Sequence, residues 1–117
     1  MKIILSLEQV AQLALALIGL YALPISLPWW LWFMLFFSPD ISMLGYLVNT
    51  KIGAYSYNLF HHKLVAVIFI TAGFFLKDNI LIASGLLLYA HSSFDRIMGY
   101  GLKFTDSFKH THLGLLK

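Results

Sequence analysis

The chain has 117 residues, 60% hydrophobic and only 11% charged, with a formal net charge of +3 and no cysteine. Soluble domains carry roughly 25% charged residues, and a chain this short has too little interior to hide so much apolar surface from water. These numbers exclude a soluble globular domain, disulfides, thiolate metal sites and cysteine nucleophiles, and the few scattered positive charges do not suit nucleic-acid binding.

What remains is one all-α integral membrane domain over residues 1–117, a four-transmembrane-helix bundle with lipid to face its apolar surface. The first span covers about 5–23. It is apolar after Gln12, while Ser6, Glu8, Gln9 and Gln12 make its beginning amphipathic. Those polar residues interrupt the apolar core that a signal peptide after Lys2 would need, so the segment is read as a retained helix. Pro24 and Pro28 punctuate the connection, with Pro28 suited to a first helical turn. The second span covers about 28–48. Its aromatic stretch Trp29–Phe37 makes only about 14 Å of helix, whereas the whole of 28–48 gives about 31 Å, a full crossing. Pro39 predicts a kink or break in that helix, and backbone freed there must line an enclosed or watery cavity.

Asn49-Thr50-Lys51 turns the chain into a third span, about 52–76, which carries Tyr55, Tyr57, Asn58, His61, His62 and Lys63 in its first half. Lys77-Asp78-Asn79 leads to a fourth span, about 80–98, apolar until His91. Gly99-Tyr100-Gly101 ends it, and a basic tail, 99–117, follows. With four spans both termini share a side. That side holds Lys2, Lys51, Arg96, Lys103, Lys109 and Lys117 against Lys77 opposite, so the positive-inside rule predicts cytoplasmic N- and C-termini. Trp29, Trp30 and Trp32 then form an outer interfacial belt.

Ionisable groups inside lipid cost about 2.5–3.5 kcal/mol each on insertion scales, and they usually face one another, a metal or water. Counted from the cytoplasmic helix ends, Asp40, His61 and His91 all lie about 10–14 Å deep, with Asp95 nearer the surface. His91 and Asp95 are spaced i, i+4 on one helix face, able to chelate one metal ion or to pair as oriented imidazole and carboxylate. Asn58 and His61, spaced i, i+3, share a face of the third span. Arg96 points about 100° from Asp95 and is expected to snorkel, to bind an anion or to pair with Asp40. Asp40 also suits the N-cap of a restarted helix after Pro39. His110 and His112 lie in the tail; His112 matters if Phe104 and Phe108 fold that tail back as a lid.

No HExxH, GxSxG, P-loop or CxxC motif is present. Asp40, His61, His91 and Asp95 form a nitrogen/oxygen donor set suited to zinc, manganese or ferrous iron. A metal there can activate water for hydrolysis, with a second histidine or carboxylate as base. Two histidines on adjacent spans can instead ligate haem, and paired histidine and carboxylate groups can relay protons or ions.

Ala90–Gly114, AHSSFDRIMGYGLKFTDSFKHTHLG, resembles the pattern AHxxxDRxxGYGLKxxxxFxxTHLG of a family of small bacterial multi-pass membrane proteins of unknown function. SPDISMLGY at 38–46 and GAYSYNLFHH at 53–62 resemble its PDxSMxGY and YNxxH segments. The resemblance implies a bacterial cytoplasmic membrane protein. It favours His61 over His62, raises His112, and adds Lys103 and the Gly99–Gly101 turn to the candidate site, so that Tyr57, Asn58, Arg96, Lys103 and His112 are the expected substrate-binding residues. The sequence reading is therefore a membrane-embedded, metal-dependent enzyme, a hydrolase, acting on a lipid or lipid-linked substrate. Asp40, His61, His91 and Asp95 serve as ligands or acid/base groups. The alternatives are a binding or transport module for haem, a metal ion or protons, and a structural subunit of a homo-oligomer or membrane complex.

Overall fold

A computed structural model of the chain describes residues 2–99, 101–103, 110–111 and 113–115. The described residues form α1 (Lys2–Ala22), α2 (Trp29–Phe37), a 3-10 segment (Ser38–Leu47), α3 (Thr50–His61), α4 (Lys63–Leu76) and α5 (Asn79–Ile97). Two short strands, β1 (His110–Thr111) and β2 (Gly114–Leu115), pair antiparallel in the tail.

Local chemistry explains the helix ends. Asn49 caps α3 by accepting from the Ile52 backbone N–H, and Asp78 caps α5 by accepting from Ile80 and Leu81. Lys77 adopts a left-handed conformation, φ 54°, and its N–H returns to the carbonyls of Gly73 and Phe74, closing α4. The two-residue turn that results folds α4 and α5 into a helical hairpin.

The stretch 52–76 is divided. His62 is extended, its Nδ1 accepts from the Leu64 N–H to cap α4, and the two helices meet at 43°. His62 is thus an exposed helix cap. The second stretch passes from α to 3-10 geometry at Ser38, beside Pro39, and runs on to Leu47. Asp40 does not cap that segment, whose start has no side-chain cap hydrogen bond.

The packing is inverted relative to a soluble protein. Large apolar side chains such as Ile3, Leu7, Phe33, Phe74 and Phe75 face outward, while small Ala16, Ala54, Ala66, Ala83 and Ala90 fill the interior. Buried with them are His61, His91, Ser92, Ser93, Asp95, Lys103 and Thr111. Lipid outside and polar groups inside satisfy such a chain. Ile3–Ala22 and Trp29–Leu47 are each long and apolar enough to cross a membrane, and the bent α3–α4 pair makes a third candidate. These features mark the chain as a membrane protein.

Helix α5 is central, packing against α1 and α4 along its length and touching α2 and α3, while the 3-10 segment packs on α3. Small residues let α4 and α5 approach closely. A Cβ on Gly85 would stand 2.6 Å from Ile70 Cγ1 and 2.7 Å from the Ala66 carbonyl oxygen. Backbone cannot yield as a side-chain tip can, so Gly85→Val is expected to lose about 1–3 kcal/mol of stability by overpacking. Thermal unfolding in detergent would read this as a lowered Tm.

Candidate metal centre

Three elements bring four side chains together. Asp40 comes from the first turn of the 3-10 segment, His61 from the last turn of α3, and His91 and Asp95 from successive turns of α5. One oxygen or nitrogen from each lies within 4.8 Å of every other. His91 is fully buried, His61 is 3% exposed and Asp95 7%, whereas the Asp40 side chain is 43% exposed. The cluster therefore opens to its surroundings on the Asp40 side.

The two imidazoles are held alike. His61 Nδ1 lies 2.9 Å from the carbonyl oxygen of Tyr57, and His91 Nδ1 lies 2.7 Å from that of Phe36. A carbonyl only accepts, so each Nδ1 carries a proton and donates it. Both Nε2 atoms then turn toward the carboxylates. His61 Nε2 is 3.1 Å from Asp95 Oδ2 and 3.6 Å from Asp40 Oδ1; His91 Nε2 is 3.0 Å from Asp40 Oδ1 and 3.5 Å from Asp95 Oδ1. The 3.1 Å approach of His61 is not aligned as a hydrogen bond, and this buried nitrogen has no hydrogen-bond partner.

In the neutral tautomer fixed by those carbonyls, each Nε2 presents a lone pair to carboxylate oxygens that also carry lone pairs. Such a set is stable with a proton held between ring and carboxyl, as the 3.0 Å hydrogen bond between His91 Nε2 and Asp40 Oδ1 allows, or with a cation between them. Ligand–ligand edges around a tetrahedral zinc are about 3.3 Å for bonds of 2.0–2.1 Å, close to the four histidine–carboxylate distances of 3.0, 3.1, 3.5 and 3.6 Å. Imidazoles oriented through their far nitrogen by backbone carbonyls are also the usual surroundings of metal-bound histidine. The buried Asp/His/His/Asp group can thus hold a metal ion.

Neighbours fix the ligand atoms. The Tyr57 hydroxyl donates to Asp95 Oδ2 at 2.7 Å, and its ring stacks on His61 with centroids 3.8 Å apart. Ser92 Oγ donates to the His61 carbonyl at 2.6 Å, satisfying an acceptor left open where α3 stops at His62. Phe36 and Phe37 pack edge-on against His91.

A family model described as a domain of unknown function, DUF4260, matches residues 2–116. The chain belongs to the DUF4260 family. No curated protein and no solved structure matches it.

The remaining candidates of this DUF4260 chain divide. Asn58 faces the tail: its Nδ2 donates to the Lys103 carbonyl at 2.8 Å and its Oδ1 accepts from the Lys103 N–H at 2.6 Å. Lys103 is buried, bridges to Thr111, and sets its ammonium 4.8 Å from the Tyr57 ring centroid. Burial pushes that ammonium below its ordinary range, and the Asp95 carboxylate acts against the shift. Arg96 forms no ion pair with Asp40 among the described residues, and His112 lies outside them. Sequence reading did not find the orienting carbonyls of Tyr57 and Phe36, nor the role of Ser92. Carbonyl positions have no residue-type signal, and Ser92 gains its meaning from a break at His62 that neither proline nor glycine announces.

Asn58→Leu removes both bonds to Lys103. At about 0.5–1.5 kcal/mol each, this is expected to speed Lys103 amide exchange by about tenfold in hydrogen-exchange mass spectrometry.

Proposed function

We propose that this DUF4260 protein is a four-span membrane protein that binds one divalent transition metal and uses it to hydrolyse a lipid or lipid-linked substrate. The observation that supports this best is the convergence of two tautomer-fixed Nε2 atoms on two carboxylates within 4.8 Å. Two carboxylates and one divalent cation sum to zero charge, which suits a site buried in a bilayer. A nitrogen/oxygen set without sulfur fits zinc, manganese or ferrous iron. Haem fits poorly, because the two rings, with centroids 4.9 Å apart, leave no room for a porphyrin between them.

In this reading α5 completes the four spans, its polar last turns keeping it below the hydropathy of the others, and the positive-inside rule sets both termini in the cytoplasm of a bacterium. His61, His91 and Asp95 are the buried ligands. Asp40, on the open side, is the fourth ligand or the base for a water whose pKa a metal would bring to about 7. Tyr57 holds Asp95, and Asn58 holds the tail carrying Lys103 beside the site. Arg96, Lys103 and His112 would meet the substrate's anionic part.

Elemental analysis of protein purified without chelator is expected to find about one transition metal per chain. His61→Ala and His91→Ala would lose it, and His62→Ala, which removes only a helix cap, would keep it. Metal-free wild-type protein that cannot be reloaded would overturn the proposal. Chelation should also lower Tm, because a ligand bound only to the native state stabilises it.

A further inference from the structure

A second polar cluster forms where α1 meets the start of α4 and the end of α5. Lys63 Nζ donates to Gln9 Oε1 at 2.6 Å and to Gln12 Oε1, and lies 4.9 Å from the Tyr89 ring centroid. Arg96, seven residues after Tyr89 and so on the same helix face, is half-buried and within electrostatic range of Tyr89, Tyr57 and Lys63. It has no ion-pair or hydrogen-bond partner among the described residues. The carboxylate that acts on Lys63 is Glu8, which is exposed.

The hydrogen-bonding inventory is one-sided. An ammonium only donates, so Gln9 and Gln12 turn their oxygens to it and leave both amide NH2 groups as donors. A guanidinium adds five donors and no acceptor. Lys63 and the two amides meet directly, and Arg96 stands on the Tyr89 face of α5 within electrostatic range of Lys63, so the group has donors to spare in a stretch of chain where isolated charge is costly. A multi-oxygen anion is the complement, and phosphate matches the planar fork of arginine. Depth agrees with this. The 14 residues of α4 place Lys63 about 21 Å from the outer turn of a core about 30 Å thick. The cluster thus lies in the cytoplasmic third, where long side chains reach toward the headgroup plane. His61 precedes Lys63 by two residues and Asp95 directly precedes Arg96, so the cluster shares its helix ends with the candidate metal centre.

We propose that Gln9, Gln12, Lys63 and Arg96 form a phosphate-binding site that takes the phosphate monoester of a lipid headgroup or a free phosphate. The site gives the lipid of the proposed function a phosphate-bearing class, and in that respect rests on that reading. The binding itself does not need the metal. Native mass spectrometry of the full chain in non-ionic detergent can test it with dioleoyl phosphatidic acid, dioleoylglycerol and inorganic phosphate as probes. Wild type is expected to retain phosphatidic acid at least tenfold more strongly than dioleoylglycerol, which has the same chains without phosphate. Arg96→Gln and Lys63→Gln should each erase most of that preference while metal content stays unchanged. Competition by millimolar inorganic phosphate would assign the site to free phosphate, and its failure to compete would assign it to the lipid. Equal retention of the two lipids by wild type, with no inorganic phosphate bound, overturns the proposal without reference to any variant. Unchanged preference in both variants overturns it equally. Loss of metal from wild type would count against the metal reading alone.

Discussion

Two hydrogen bonds from imidazole to backbone carbonyl govern the centre of this protein. Because Tyr57 and Phe36 offer oxygens that can only accept, His61 and His91 must spend their Nδ1 protons there. Everything inward follows from that constraint. Both Nε2 atoms face Asp40 and Asp95, the four groups present mostly lone pairs to one another, and a proton or a cation has to enter the space between them. Tyr57 strengthens the arrangement twice, through its carbonyl on His61 and its hydroxyl on Asp95.

The helix architecture serves this geometry. The break at His62 ends α3 just after His61, so the ring sits at a helix terminus instead of mid-span. Ser92 on α5 then satisfies the His61 carbonyl and ties the broken end to the helix carrying His91 and Asp95. The 3-10 segment after Phe37 turns Asp40 toward the same place while Phe36, one turn earlier, supplies its carbonyl. Close approach of α4 to α5 at Gly85 keeps the scaffold tight around a polar interior. Large apolar side chains are left to the lipid.

Much of this is legible in the sequence, for identifiable reasons. Helical rise predicts one depth for Asp40, His61 and His91, and the i, i+4 spacing puts Asp95 beside His91. The structure joins those four residues. The helical class was legible from composition, and the family resemblance from motifs at 38–46, 53–62 and 90–114 agrees with the DUF4260 match over 2–116. The division of 52–76 was not legible, since His62 breaks the helix by capping α4 with its own ring, a role its residue type does not advertise. The pairing of Asn58 with the Lys103 backbone was hidden for a related reason: side-chain partners in a tail depend on how the tail folds back, and no periodicity encodes that. The donor-rich group around Lys63 needed α1, α4 and α5 in contact before Gln9 and Gln12 could be seen to face it.

A metal-edge X-ray absorption spectrum of the purified, detergent-solubilised protein tests the central claim most directly. The account predicts a single metal with nitrogen and oxygen neighbours at about 2.0–2.2 Å and an imidazole signature from two histidines, and loss of the metal with that signature in His91→Ala. A metal with no imidazole scattering, or an unchanged spectrum in His91→Ala, would contradict it.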